Sequence, residues 1–224
     1  MFNNAERKLD RMGNVGSMQV SENIYNLVLG ATVWYGLVCN AFIVQVFAGK
    51  LDNLNPVFFL IAYFVSCMLG CVITYSSHNP FISFIGYNFV VIPIGIVLAI
   101  CIPNYPTESI LLAARLTAIV VSVMMILATL KPHLFAGLGR TLFLSLFFGL
   151  LAEIGSLLLG YRGDFFNWFF VILFSAYIGY DWYRAQEYPK NLDNAVDSAL
   201  DIYLDIINLF LRILSLLGNS KSKN

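Results

Sequence analysis

Three aspartates, Asp197, Asp201 and Asp205, recur at a spacing of four inside an apolar stretch of membrane length, Asn194–Leu217. Asn208 and Arg212 continue the stripe, and Asp181 stands near the end of the apolar segment before it. A spacing of four places side chains on one face of a helix. Ionisable groups are costly in a bilayer and face a bundle interior, a partner or water, so a stripe of this kind marks a site by default. The chemistry open to it is that of carboxylates: carrying protons, or offering hard oxygen ligands to a cation such as Ca²⁺, which takes about six to eight of them.

The elements that must position these acids follow from composition. The chain has 224 residues, 59% hydrophobic and 12% charged, with zero net charge and a mean hydropathy of +0.76. A soluble domain carries roughly 25% charged residues. The apolar excess falls in runs of about 20 residues, enough to cross a hydrocarbon core of about 30 Å. Seven spans are expected: Ile24–Phe47, Pro56–Tyr75, Phe81–Ile102, Ser109–Leu130, Thr141–Gly160, Phe165–Tyr183 and Asn194–Leu217. Pro56 suits a helix start, Pro93 and Gly95 should bend the third span, and Thr107 reads as an N-cap. The chain thus divides into a polar segment over 1–22, a seven-helix membrane domain over 23–217 and a disordered tail over 218–224. The polar start lacks the layout of a signal peptide, so the first span should serve as the insertion signal. No basic cluster points to nucleic acid. No prosthetic group and no enzyme activity are implied; the bilayer is the expected surrounding.

Basic residues favour the cytoplasmic side. With the N-terminus inside, Arg7, Lys8, Arg11, Lys131, Arg140, Arg184 and Lys190 are cytoplasmic, whereas Lys50, Arg162, Lys221 and Lys223 are outside. This orientation sorts the buried charges into two layers. Asp181, Asp197, Asp201 and Asp205 lie toward the cytoplasm, the last three covering about 12 Å of depth. Glu153, Arg115 and Arg212 lie toward the outside and form a closed ionic network if all three face inward. Asp197, in the first turn, reads as a helix-entry carboxylate meeting the helix dipole and interfacial water. Asp201 and Asn208 are candidates to line a cation path.

Several strings carry a family resemblance. Ala199-Leu200-Asp201-Ile202-Tyr203-Leu204-Asp205-Ile206-Ile207-Asn208-Leu209-Phe210-Leu211 resembles the C-terminal signature of the Bax inhibitor family, the transmembrane Bax inhibitor motif-containing proteins. Ile178-Gly179-Tyr180-Asp181 resembles its preceding tyrosine–aspartate motif, and Gly139-Arg140-Thr141-Leu142-Phe143 its link into the fifth helix. The resemblance implies an all-α membrane protein with six helices around a central seventh, acting as a pH-sensitive, calcium-permeable leak. Its proton-sensing aspartate pair maps by motif onto Asp181 and Asp205, which would also hold a transient Ca²⁺ with Asp201, Asn208, Asp197, carbonyls and water. Two carboxylates about 4 Å apart at an effective dielectric of about 20 repel by roughly 4 kcal/mol, so the pair should share one proton. One departure stands out. Family members carry a basic latch on the second helix, but Pro56–Ser77 contains no charge, and Arg184, one turn after Asp181, is the nearest local substitute. Compact loops suit a bacterial inner membrane.

Two other readings stay open. A helix bundle without transport could regulate another membrane protein, such as a protease or a stress- or death-pathway component. Tyr180-Asp181 also resembles the presenilin arrangement of an intramembrane aspartyl protease, although Asp205 sits in Tyr-Leu-Asp rather than Gly-x-Gly-Asp. For the acids the bland alternative is a set of salt bridges with Arg184 or Arg212. His78 and His133 read as solvated loop residues, the four cysteines as small packing residues, and Gly30, Gly36, Gly70, Gly86 and Gly95 as close helix approaches.

Overall fold

The structure, a computed structural model, describes residues 18–51, 55–161 and 163–221. Seven long helices account for most of them: α1 (Glu22–Phe47), α2 (Pro56–Ser76), α3 (Pro80–Cys101), α4 (Thr107–Leu130), α5 (Gly139–Leu158), α6 (Phe165–Glu187) and α7 (Leu192–Lys221). Arg7, Lys8, Arg11, Arg162 and Lys223, which contribute to the expected orientation, lie outside the described residues, as does most of the polar start.

Local chemistry explains where these helices begin. Ser21 caps α1, its hydroxyl accepting from the Ile24 amide. Asn55 and Asn79 cap α2 and α3, each followed by a proline that supplies a helical φ where no amide is needed. Asn191 caps α7 by accepting from the Asn194 amide at 2.8 Å. The expectation for α4 is corrected: Thr107 is its first helical residue and Pro106 holds the cap position, without a side-chain bond. The third helix runs unbroken through Pro93.

Five helices, α1 to α5, are long and apolar enough to cross a membrane. Seven long helices match the seven expected spans in number, and α6 and α7 are less apolar than the rest. Tyrosines, Asp181, Arg184 and Glu187 dilute the first, and four aspartates and Arg212 dilute the second. These two depend on protein surroundings, and burial shows it for α7. No residue from Asp193 to Gly218 is exposed, whereas α1 to α6 all present exposed large apolar side chains.

The chain forms two compact units, one of Met1–Asn104 with Glu187–Tyr203, the other of Tyr105–Gln186 with Leu204–Asn224. In the first, α3 packs against both α1 and α2. Gly70 and Gly86 let the α2 and α3 backbones meet, since a Cβ on either would lie under 3 Å from the other's carbonyl oxygen. Gly36 makes room for Tyr87, whose hydroxyl donates to the Thr32 carbonyl at 2.9 Å. Gly30 is a correction: open space surrounds it, so it marks no close approach. In the second unit, α4 buries only Ser109, Ala113, Thr117 and Ala128.

Candidate functional site

The acids of α7 fall in both units, and each set has its own kind of partner. In the first unit the stripe begins one turn earlier than the apolar pattern implies. Asp193, 3% exposed, accepts from the Ser83 hydroxyl of α3 at 2.6 Å. Ser83 is itself fixed by reciprocal bonds with Thr74 of α2. Asp197 is 2% exposed and one turn deeper, which corrects its assignment to a wet helix entry. Asp201 accepts from the Tyr75 hydroxyl of α2 at 2.5 Å. The column continues through Ser198, 3.2 Å from the Tyr25 hydroxyl, and Tyr203, which accepts from the Asn40 amide at 2.5 Å.

Tyr75 changes the meaning of the uncharged second helix. That helix offers no cation, yet it reaches the acid stripe through a phenol. Sequence reasoning passed over Tyr75, Ser83 and Asp193. Only Asp193 carried a readable signal, because the spacing of four extends back to it.

The link into α7 is part of the same unit. The Lys190 ammonium lies 4.5 Å from the centre of the Tyr25 ring. Burial lowers its pKa from the ordinary lysine value, partly offset by Glu22 and Glu187.

In the second unit, Asp181 on α6 and Asp205 on α7 are 7% and 6% exposed. Arg184 donates from Nη1 to Asp181 Oδ1 at 3.1 Å, and its guanidinium also lies 5.4 Å from the Tyr180 ring centre. Arg184 therefore does meet Asp181. The phenol of Tyr177, one turn before Asp181, is in electrostatic reach of both Asp205 and Asp181; as an aromatic in an apolar helix it carries no distinguishing pattern. Asn208 turns its amide back to the Leu204 carbonyl at 2.8 Å.

Two glycines set α6 at this position. A Cβ on Gly139 would strike the Tyr180 hydroxyl, and one on Gly179 would strike the Phe135 ring. The Gly139-Arg140-Thr141 and Gly179-Tyr180-Asp181 strings thus meet in space.

One helix turn beyond Asn208, Arg212 forms a two-pronged bond with Glu153 of α5: Nη1 donates to Oε1, and Nη2 to Oε2 at 2.8 Å. Nη1 also donates to Asn167 of α6 at 3.3 Å, and the guanidinium stacks 4.2 Å from the Phe170 ring centre. The expected outer network exists with one correction. Arg115 is not in it, because α4 turns that residue to the exposed side.

Chemically, Asp193 and Asp201 of the first unit are held by hydroxyls, and Asp181 and Glu153 of the second by guanidinium groups. Among the described residues no three His, Cys, Asp or Glu side chains group as a metal-ligand set. A cation at Asp181 and Asp205 would complete its shell with water and carbonyls, which suits passage rather than storage. His78 and His133 are both exposed, and the four cysteines are free and half-buried.

The model of the family described as "Inhibitor of apoptosis-promoting Bax1" matches residues 17–222. Uncharacterized proteins from two Helicobacter pylori strains, ATCC 700392 / 26695 and J99 / ATCC 700824, are each 32% identical over 111 residues. That stretch is 47% of this chain and 46% of each relative, so the chain spans about half the length of the curated relatives it matches.

Proposed function

The chain belongs to the Bax inhibitor family, and from that premise we propose that it is a pH-sensitive leak for Ca²⁺, controlled by Asp181 and Asp205. The observation that carries this reading is the burial of both carboxylates in one unit, within electrostatic reach of a single phenol, Tyr177. Two acids so placed interact through every protonation step, because ionising one raises the cost of ionising the other. With one shared proton they form a hydrogen-bonded clasp with a single negative charge. With both protons gone they repel, and a passing cation relieves the repulsion.

Arg184 takes the place of the basic latch that the second helix lacks. It pairs with Asp181 along the same helix, so releasing that contact frees a carboxylate without moving α2. A bacterial inner membrane with a cytoplasmic N-terminus fits the bacterial relatives and the basic residues of the loops.

The test is Ca²⁺ flux into liposomes carrying the purified chain, over a series of pH values. Flux should depend on pH, and Asp181→Asn or Asp205→Asn should flatten that dependence. Unchanged flux and an unchanged profile in both variants would end this reading. A stoichiometric co-purifying membrane protein, with no flux at any pH, would favour a regulator without transport.

A further inference from the structure

Arg115 lies nine residues into an apolar helix, counting Thr107 as the first, and none of the α7 acids is its partner. The buried stripe of α4, Ser109, Ala113 and Thr117, recurs every four residues. Arg115 is two residues from both Ala113 and Thr117, and two residues rotate a helix by about 200°. The guanidinium therefore leaves the helix on the side opposite its packing face, where Leu111, Leu112, Leu116 and Ile119 are also exposed. Among the described residues no hydrogen bond, ion pair or ring contact engages Arg115. A cation surrounded by exposed leucines matches an amphiphile with the opposite charge at one end and hydrocarbon at the other.

Depth and direction agree with that match. Arg115 is about 12 Å along the axis from Thr107. Helical Cα–Cβ bonds tilt toward the N-terminus, so the side chain reaches back toward the nearer interface, as long basic side chains do in bilayers. A planar guanidinium presents paired donors to phosphate oxygens.

We infer that the outward face of α4 around Arg115 binds an anionic phospholipid, its phosphodiester on the guanidinium and its acyl chains along Leu111, Leu112, Leu116 and Ile119. This site is separate from the conduction reading and does not depend on it. Glu108, two turns nearer the same interface on the same side of α4, opposes the phosphate.

Native mass spectrometry of the full chain, in an equal mixture of phosphatidylglycerol and phosphatidylcholine with matched acyl chains, tests it. The natural protein should retain phosphatidylglycerol about fivefold over phosphatidylcholine (~1 kcal/mol per basic residue at an anionic surface). Arg115→Gln should erase the preference, Arg115→Lys should keep most of it, and Glu108→Gln should increase it. The inference is overturned if Arg115→Gln keeps the natural preference, or if the natural protein shows none. It is equally overturned if soluble glycerol phosphate displaces the lipid, or if the same spectra show a dimer that Arg115→Gln abolishes.

Discussion

The two units solve one problem with different donors. In the first, Asp193 and Asp201 meet hydroxyls, those of Ser83 and Tyr75. In the second unit the acids Asp181 and Glu153 meet guanidinium, Arg184 within α6 and Arg212 from α7. The sequence itself holds no arginine between residues 18 and 104 or from Glu187 to Tyr203. A hydroxyl can donate to a carboxylate or to the carbonyl oxygen of a neutral acid or amide, whereas a guanidinium keeps its charge and is matched best by an anion. The first arrangement tolerates loss of charge and the second does not.

The sharpest way to break that contrast is at Arg212. Arg212→Met leaves Glu153 without its cation in a poorly solvated place and should cost about 3 kcal/mol or more, read as thermal unfolding in detergent. The double change with Glu153→Leu should recover much of the loss, because an apolar pair of similar volume replaces both charges. A double variant no more stable than Arg212→Met alone would mean the clamp acts by shape and not by charge.

A second comparison separates the two donors directly. Asp181→Asn removes the anion from Arg184 and should cost about 2 kcal/mol, in the range for hydrogen bonds to charged groups. Asp201→Asn keeps an oxygen for the Tyr75 hydroxyl and should cost about 1 kcal/mol or less. Equal losses would erase the distinction between the two regions. Tyr75→Phe belongs between them, since it strips Asp201 of a donor that asparagine at 201 would retain.

The smallest effect concerns Lys190. Its pKa in the folded chain lies below the unfolded value of 10.5, so the unfolded chain binds more protons between those two values. Stability contributed by this residue is then complete above the unfolded pKa and is lost as pH falls through the folded one. Relative to Lys190→Met, the natural protein should gain stability as pH rises through that window. A parallel pair of unfolding profiles would show that burial of the ammonium is not felt.

Much of this could be read in the residues, and the gaps have physical causes. Hydropathy located the seven helices, because lipid selects long apolar runs. The strings around Asp181 and Asp205 identified the family, and the charges of Glu153 and Arg212 were enough to expect their pairing. Tyr75 and Ser83 escaped because a search for partners of acids looks for cations, and a hydroxyl in an apolar helix has no distinguishing spacing. Asp193 escaped because the apolar window starts after it. Charge in a membrane helix is expected to seek the interior, yet Arg115 is exposed. In α4 the small residues Ser109, Ala113 and Thr117 form the packing face, as in many membrane helices, and the larger leucines face outward. Hydrophobicity alone does not tell which side of such a helix is in.

The low exposure of α7 from Asp193 to Gly218 has a consequence for how the chain is made. On the insertion scale a central Asp costs about 2.5–3.5 kcal/mol, so a segment with four of them does not partition into lipid alone. The five apolar helices can enter the bilayer one after another as they are synthesised. The last helix must wait until Ser83 and Tyr75, the partners of Asp193 and Asp201, are in place to receive it. Its biogenesis is therefore post-insertional, the closing step of assembly, and a ribosome stalled before Leu192 would leave a bilayer-embedded protein with a polar vacancy for quality control to detect.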